Sequence, residues 1–303
     1  MGTPEFAVPS LQVLIDSDDD VVAVICQPDK PRGRGRKLAS PPVKELAERY
    51  GIVVLQPNKI RTPEFMDDLK ALDPHLICVT AYGKILPPDV LNLPRHGCIN
   101  VHASLLPAYR GAAPINRAIV RGETVSGVTT MQMDEGMDTG DMLLWREVPI
   151  ESGDTGETLA GKLSHLGAEL LIETIEKLKS GNLSSVKQDE TLATYAPLIK
   201  KEDGRIDWSK SAEDIRNLVR GMTPWPGAFT DLDGKRLKIY RVTVTGGAGR
   251  PGEVIKSDPG VLRVATGGGS LDIEELQIEG GKRLEVKQFL AGRMIRAGEI
   301  IGA

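Results

Sequence analysis

The sequence has 303 residues, a length that predicts two domains, because single domains usually hold about 100–200 residues. Hydrophobic residues make up 40% of the chain and charged residues 26%. No apolar run approaches the roughly 18 residues of a membrane helix, and no basic start precedes an apolar stretch, so we expect a cytoplasmic protein. The net charge of −4 is unevenly distributed, with −7 over residues 1–199 and +3 over residues 200–303. The basic second part of the chain hints at an anionic partner.

The first half alternates helix and strand patterns. Helices are predicted at residues 4–16, after Ser40-Pro41, after Thr62-Pro63, and from Thr155 to about Lys179; the two prolines each follow a capping residue. Runs rich in valine and isoleucine predict strands at 21–26, 52–55, 75–80, 97–101 and 127–133. This alternation indicates βαβ units, so we expect an α/β domain with a doubly wound, mostly parallel sheet.

The start of the chain leaves one strand of this sheet unaccounted for. A helix at residues 4–16 has to pack on a sheet, and a βαβ unit needs a strand before that helix. Only Met1 precedes the Gly2-Thr3-Pro4 turn. We therefore expect unpaired ladder groups in the centre of the sheet, and a native chain that starts further upstream.

The three cysteines, Cys26, Cys78 and Cys98, each lie in a strand-like apolar run. Their number is odd and their spacing matches no zinc or disulfide pattern, so we expect buried free thiols. The four histidines also lack ligand spacing, and we expect no metal.

The pattern changes after about residue 184. Residues 184–203 are polar and aperiodic, which predicts a linker between a catalytic domain at 1–183 and a second domain at 204–303. A helix is expected from Ser211, with Asp214 completing a capping box. Beyond Pro226, short strands split by glycine-rich turns predict a small β-barrel of about 75 residues.

Asn100 and His102 end a buried strand in the segment CINVHASLLPAYRGAAPI, residues 98–115. Side chains alternate along a strand, so both point to one face. Ligand sites in open α/β sheets form beyond the carboxyl ends of strands, and an amide beside an imidazole suits a developing oxyanion. The alternative is a pair of core residues with satisfied hydrogen bonds.

A second polar segment, MQMDEGMDTGDML at residues 131–143, follows another strand. Asp134 and Glu135 are typical turn formers. Asp138 and Asp141 flank Thr139-Gly140, a shape that can turn one carboxylate inward, where it could take part in proton transfer with the histidine.

A third segment, KPRGRGRK at residues 30–37, holds five basic side chains and no acid. It is longer than the 2–6 residues typical of a βα connection. It also lies on the same side of the predicted sheet as Asn100 and His102. Two interpretations stay open, phosphate contact and a solvated charged loop.

Several segments, in this order and spacing, resemble the methionyl-tRNA formyltransferases of the folate-dependent formyltransferase family. The resemblance covers essentially the whole chain, and SLLP followed by YRGAAP is its most specific part. The matching segments are MGTPEFAVPSL, QPDKPRGRGRKL, NVHASLLPAYRGAAPI, GMDTGDM, KKEDGRIDWSKSAEDIRNLVRG and PWPGAFT.

The resemblance implies a Rossmann-like catalytic domain, an OB-like second domain that contacts tRNA, and 10-formyltetrahydrofolate as the formyl donor. The family's catalytic Asn, His and Asp fall on Asn100, His102 and Asp138. The implied folate-binding positions are Ser104, Leu105, Leu106, Pro107, Gly136, Asp138 and Asp141. The implied tRNA-binding positions are Arg32, Arg34, Arg36, Lys37, Lys200 and Lys201.

The chain departs from the family pattern at Ala108 and Leu198, where basic residues are common. The expected activity is formyl transfer to methionyl-initiator tRNA, by a monomer. The alternatives are a formyltransferase acting on a sugar nucleotide or a purine precursor, a formyltetrahydrofolate hydrolase, and a non-catalytic RNA-binding protein. The second domain argues against the purine enzyme, and the intact Asn100, His102 and Asp138 argue against a binding protein.

Overall fold

The computed structural model describes residues 1–32 and 37–302. The chain divides into two compact units. Unit 1 consists of Met1–Pro114, Val125–Pro149 and Ala160–Pro197, and unit 2 consists of Ile115–Thr124, Ile150–Leu159 and Leu198–Ala303. Within the described ranges, no helix has both the length and the apolar character needed to cross a bilayer.

Helices and strands alternate along the first 180 residues, as the sequence predicts. The helices are the 3-10 turn Glu5–Ala7, α1 (Val8–Ile15), α2 (Pro42–Arg49), α3 (Pro63–Ala71), α4 (Pro88–Leu91), α5 (Pro114–Val120) and α6 (Gly156–Lys179). The strands are β1 (Val24–Ile25), β2 (Lys30–Arg32), β3 (Lys37–Ala39), β4 (Val54–Leu55), β5 (Ile77–Val79), β6 (Cys98–His102), β7 (Val125–Gln132) and β8 (Met142–Pro149).

The described strands of unit 1 form two two-stranded sheets, β1-β4 and β2-β3, and one mixed four-stranded sheet in the order β5-β6-β7-β8. β1 pairs with β4, and β5 pairs with β6, both in parallel as expected. β7 runs antiparallel to β6 and forms a hairpin with β8, a strand that the sequence pattern did not predict. The expectation of a mostly parallel sheet is therefore wrong for this edge, because a hairpin forces its strands to be antiparallel. An antiparallel edge on an otherwise parallel sheet is common.

Apolar helices cover both faces of the sheet at β1. Val24 packs with Leu11 of α1 and Leu46 of α2 in one cluster of buried residues. Ile25, the next residue, packs with Phe65 and other residues of α3 in a second cluster. Successive strand residues point to opposite faces, so this division indicates a doubly wound sheet.

Met1 and Gly2 lie between β1 and β5, which do not pair with each other. The Gly2 amide donates to the Ile25 carbonyl at 3.0 Å, and the Thr80 amide donates to the Met1 carbonyl at 2.9 Å. The α-amine of Met1 donates to the Cys78 carbonyl at 2.6 Å. The remaining edges of the two strands face a cavity of about 520 Å³, whose walls include Leu11, Leu14, Val22, Val24, Leu76, Cys78, Leu171 and Ile175.

Side-chain caps start two of the helices where the sequence places them. The expected cap at Ser40 is wrong, because α2 begins at Pro42 with Pro41 as its N-cap and no side-chain cap. The Thr62 hydroxyl accepts a hydrogen bond from the Phe65 amide at 3.3 Å, at the start of α3. The Ser211 hydroxyl accepts one from the Asp214 amide at 3.1 Å, at the start of α7 (Ala212–Gly221). Each cap satisfies a backbone donor that the helix leaves free.

The elements of unit 2 include α7, β9 (Ala228–Leu232), β10 (Lys235–Thr245), β11 (Val254–Asp258), β12 (Val261–Ala265), β13 (Ser270–Ile278), β14 (Leu284–Glu285) and α8 (Val286–Gly292). The strands form an antiparallel sheet in the order β11-β12-β13-β10-β9, with β14 paired to β13. The pairings between these described strands leave β11 and β9 as the two edges and do not close a barrel. The buried core of unit 2 includes Trp208, Ile215, Leu237, Leu262 and Leu271.

Candidate active site

Strand β6 presents Asn100 and His102, its third and last residues, on one face. Both side chains are buried, at 9% and 6% exposure. Val101 between them is buried as well. Two polar side chains inside a strand buried on both faces need hydrogen-bond partners, and these partners come from two loops.

The first partner is Asp138, in the loop between β7 and β8. Its Oδ1 lies 3.4 Å from Asn100 Nδ2 and 3.6 Å from His102 Nδ1. Its Oδ2 accepts a hydrogen bond from the Gly111 amide at 2.8 Å. One carboxylate therefore joins the strand, the loop after it and the hairpin, and the three residues predicted to be catalytic come together.

The second partner fixes which nitrogen of His102 carries hydrogen. His102 Nε2 lies 3.0 Å from the carbonyl oxygen of Tyr109. A carbonyl can only accept, so Nε2 donates. The Nδ1 atom, which faces Asp138, is therefore the ring position that can gain or lose a proton. This arrangement suits a proton exchange between the carboxylate and the ring.

The Asp138 loop is held by groups that the sequence pattern did not single out. Gln188 Nε2 donates to the Asp138 carbonyl at 2.9 Å and to the Gly140 carbonyl at 2.7 Å. Gln188 Oε1 accepts hydrogen bonds from the guanidinium of Arg110. Gln188 lies in the segment predicted to be a linker, 50 residues after Asp138, and no local pattern connects the two.

The loop after β6, residues 103–111, contains four of the implied folate-binding positions. The Ser104 hydroxyl donates to the Ala108 carbonyl at 2.6 Å, so it closes a turn. The Leu106 amide donates to Thr129 Oγ1 at 3.1 Å, which fixes the loop on β7. Leu105 and Pro107 are half-buried.

The other two positions lie in the loop that carries Asp138. Gly136 is exposed, and its amide donates to Asp134 Oδ1 at 3.0 Å. Asp141 Oδ2 accepts from the Ser185 hydroxyl at 3.1 Å. These two residues flank Asp138 in the sequence, so the implied folate positions lie in the two loops that follow His102 and carry Asp138.

The basic segment is described only in part. Arg34 and Arg36 lie outside the described residues. Arg32 and Lys37 belong to β2 and β3, which pair antiparallel with Arg32 opposite Lys37. The expected βα connection therefore contains a hairpin.

In unit 2, Lys200 and Lys201 are both exposed. Lys201 begins a 3-10 turn and borders a pocket of about 230 Å³. The other residues around the pocket are aromatic, apolar or basic: Trp225, Pro226, Phe229, Arg236 and Lys238. Trp225 is 54% exposed, and the Arg236 guanidinium lies 4.2 Å from the centre of the Phe229 ring.

The three cysteines are free thiols; Cys26 and Cys98 are buried as expected, whereas Cys78 is half-buried. Burial raises the pKa of Cys26 and Cys78 to about 11 and that of Cys98 to about 12. Among the described residues, no group of three or more His, Cys, Asp or Glu side chains is arranged to hold a metal ion.

Two family models match the chain. The formyl transferase model matches residues 1–175. The model of the formyl transferase carboxyl-terminal domain matches residues 198–294. Together they cover most of both units.

Relatives of known name match over the full length of the chain. A methionyl-tRNA formyltransferase from Geotalea uraniireducens is 58% identical over 302 residues, which cover 100% of this chain and 96% of the relative. A methionyl-tRNA formyltransferase from Geobacter metallireducens is 54% identical, covering 100% and 97%. Among solved structures, an N-formyltransferase from Helicobacter canadensis, in complex with folinic acid and dTDP-3-aminofucose, superposes with a TM-score of 0.68. It is 20% identical and covers 90% of this chain and 96% of that chain, so it shows the fold alone.

Proposed function

The chain belongs to the formyl transferase family, and from this premise we propose that it transfers the formyl group of 10-formyltetrahydrofolate to the α-amino group of methionyl-initiator tRNA, for translation initiation. The observation that supports formyl transfer is the Asp138 carboxylate placed between Asn100 and His102. The full-length similarity to methionyl-tRNA formyltransferases supports the choice of acceptor.

The geometry supports direct attack of the amine on the formyl carbon. The amide group of Asn100 has two hydrogens, so it can donate to Asp138 and to the formyl oxygen at the same time. His102 adds a second polar group beside that oxygen. Loss of one such donor typically costs about 2.7–4 kcal/mol of transition-state stabilisation.

Asp138 supports the proton transfers that the reaction needs. The new bond between the amine nitrogen and the formyl carbon releases a proton from the amine. The bond to N10 of the folate breaks, and that nitrogen takes up a proton. Asp138 accepts the first proton, directly or through water, and returns it with His102 orienting the exchange.

The folate is bound beside these residues by Ser104, Leu105, Leu106, Pro107, Gly136, Asp138 and Asp141. The half-buried Leu105 and Pro107 offer apolar surface in the loop that follows His102.

The tRNA is bound by positive charge in both units. Arg32, Arg34, Arg36 and Lys37 contact phosphates near the acceptor end, and Lys200 and Lys201 contact phosphates in the second unit. The pocket beside Lys201 supports this assignment, because exposed Trp225 offers a stacking surface and Arg236 a cation.

The second unit is an OB-like barrel in this proposal. Residues 298–302 support it, because they hydrogen-bond to both edges of the open sheet. The Ile301 amide donates to the Gly252 carbonyl at 2.9 Å, beside β11, and the Gly302 amide donates to the Asp231 carbonyl of β9 at 2.8 Å. We further propose a cytoplasmic monomer with a catalytic domain at 1–183, a linker at 184–203 and a tRNA-contacting domain at 204–303.

One assay tests the proposed function. The protein is incubated with 10-formyltetrahydrofolate and, separately, methionyl-initiator tRNA, methionyl-elongator tRNA, an amino-sugar nucleotide, and buffer alone. We expect formyl-methionine on the initiator tRNA and little product elsewhere. Formylation of the sugar would identify the first alternative, and release of formate in buffer alone would identify the hydrolase.

A further inference from the structure

Arg110 is the largest fully buried side chain in the described part of the protein, with 0% exposure. Its guanidinium makes two hydrogen bonds to Gln188 Oε1, from Nε at 3.0 Å and from Nη2 at 2.8 Å. It makes two more to the carboxylate of Glu190, from Nη1 at 2.9 Å and from Nη2 at 2.8 Å. A buried cation with this many partners is held in one orientation.

The guanidinium decides the orientation of the Gln188 amide. Gln188 is 4% exposed. Its oxygen accepts from two Arg110 groups, and its nitrogen donates to the Asp138 and Gly140 carbonyls. All its hydrogen-bonding positions are used. If the amide were flipped, its N–H groups would face the Arg110 guanidinium and its oxygen would face the two carbonyl oxygens. Both arrangements are repulsive, so Arg110 excludes the flipped orientation.

The two carbonyls held by Gln188 belong to a backbone that needs support. Asp138 has φ of 56°, in the left-handed region that non-glycine residues rarely adopt. Gly140 has no room for a side chain, because a Cβ there would lie 1.8 Å from the Gln132 carbonyl oxygen. The Gln188 amide supplies two of the hydrogen bonds that hold the loop in this conformation.

Arg110 also acts on the other end of Asp138. Its neighbour Gly111 donates to the carboxylate at 2.8 Å. The Arg110 backbone is itself fixed, because its amide donates to the Thr194 carbonyl at 2.8 Å and its carbonyl accepts from the Ala196 amide at 2.7 Å. The carboxylate and the backbone of Asp138 are thus both tied to residue 110.

We propose that Arg110 and Gln188 are positioning residues for Asp138. The buried guanidinium fixes the Gln188 amide, and the amide holds the Asp138 backbone so that its carboxylate meets Asn100 and His102. This inference rests on the proposed role of Asp138 in formyl transfer.

The variant that tests it is Gln188→Glu. A carboxylate of the same shape still accepts from Arg110, but it cannot donate to the two carbonyls and repels them. We expect kcat to fall about 10- to 100-fold through misplacement of the carboxylate. KM for 10-formyltetrahydrofolate should change less, by at most about threefold, because Ser104, Leu105, Leu106 and Pro107 lie in the other loop and keep their contacts. Gln188→Met, which also lacks the donors but buries no new charge, should show the same loss if Gln188→Glu does not fold.

The matched control is Thr174→Val. Thr174 is fully buried, and its hydroxyl hydrogen-bonds to Thr130 at 2.8 Å, away from Asp138. Its loss should lower the melting temperature and leave kcat within about twofold of wild type. Loss of kcat in this control equal to that in Gln188→Glu would show a general response to destabilisation and overturn the proposal.

A double variant separates positioning from a direct role. In an Asp138→Ala background, Gln188→Glu should lower kcat no further, because the group it positions is gone. A wild-type kcat in the single Gln188 variants, or a full further loss in the Asp138→Ala background, would overturn the positioning role. An unchanged kcat in Asp138→Ala itself would instead contradict the proposed function.

Discussion

Asp138 is the residue on which the candidate site depends most. Its carboxylate contacts Asn100, His102 and the Gly111 amide. A residue with several partners acts as part of a unit, so removing any member should remove much of the unit's effect.

We expect Asp138→Ala and His102→Ala each to lower kcat by about 100- to 1,000-fold, the usual result of losing one transition-state interaction, while folate and tRNA still bind. The double variant should lose less than the product of the two single losses. Steady-state kinetics and separate binding titrations measure this. Glu135→Ala, an exposed change in the same loop, is the control and should keep wild-type turnover.

A second prediction at the scale of single residues concerns the three cysteines. Because burial raises their pKa to about 11 or 12, the thiolate is scarce at pH 8, and iodoacetamide should not modify the folded protein. Mass spectrometry should show three modified cysteines only after unfolding. The raised values also mean that the unfolded thiols ionise first, so stability should fall as the pH rises above 9. Rapid modification of Cys78 in native protein would contradict the assignment.

Some features of the candidate site could be predicted from the sequence, and others could not. Asn100 and His102 could be placed on one face because strand alternation is a local rule. Asp138 could be placed in a loop, but not next to them, because its distance from Asn100 depends on how the hairpin folds back. Arg110 and Gln188 lie 78 residues apart, and their pairing follows from the packed fold and not from any local pattern.

At the scale of elements, the gap between β1 and β5 is the main departure from a regular sheet. Met1 and Gly2 satisfy one end of the two strands, and the cavity borders the rest. Unpaired buried backbone groups cost about 1–3 kcal/mol each, so an added strand should stabilise unit 1.

We therefore expect that five mostly apolar residues of high strand propensity added before Met1 (Met-Thr-Ile-Val-Val) raise the melting temperature by at least about 5 °C, given about 2–4 °C per kcal/mol for a domain of this size. The control adds Met-Gly-Ser-Gly-Ser, which also converts the α-amine to an amide but has little tendency to form a strand. Calorimetry compares the three proteins. Equal melting temperatures for both extensions would show that no strand forms in the cavity.

The same variants report on the α-amine of Met1. Desolvation lowers its pKa from the ordinary value of 8.0, so the folded state binds fewer protons there than the unfolded chain. The stability of the 303-residue chain should fall as the pH drops below 8. Both extensions should remove this contribution, since the amine moves away from the sheet, and denaturant titrations at pH 6 and pH 8 would measure it.

The elements themselves were mostly predictable. The caps at Thr62 and Ser211 lie where the sequence places them, because a cap depends on residues three apart. Strand β8 was missed because its run, MLLWREVP, follows an acidic turn without a run of β-branched residues. The direction of β7 depends on that missing partner, so the parallel expectation failed with it.

At the scale of the whole molecule, charge decides how the protein meets a polyanion. The net charge of −4 opposes binding, so local basic groups have to supply the attraction. Residues 30–37 contain five of them and no acid. Each phosphate contact releases counterions and steepens the dependence of affinity on salt.

Replacement of Arg32, Arg34 and Arg36 by alanine should weaken tRNA binding and flatten its salt dependence, by about 0.9 in slope per duplex contact or 0.7 per single-strand contact. Binding titrations over a range of salt concentrations measure the slope. A second variant, Lys200→Ala with Lys201→Ala, should show the same kind of change if those residues also contact phosphates.

The control carries the same loss of charge elsewhere in unit 1, with Lys59, Arg61 and Lys70, all exposed, replaced by alanine. It should keep the wild-type slope. An unchanged slope in the arginine variant would show that the loop is solvated, and equal changes in both would show an effect of net charge alone.

The cavity beside β1 and β5 should also affect the hydrostatic pressure at which the protein unfolds. Pressure favours states of smaller volume, and internal space that unfolding eliminates adds to the volume change. We expect the 303-residue chain, with its cavity of about 520 Å³, to unfold at lower pressure than the strand-forming extension. The Gly-Ser extension should unfold at the same pressure as the unextended chain. Fluorescence recorded at increasing pressure measures the unfolding pressure of the three proteins. It distinguishes an added strand that fills the cavity from an added segment that only covers it.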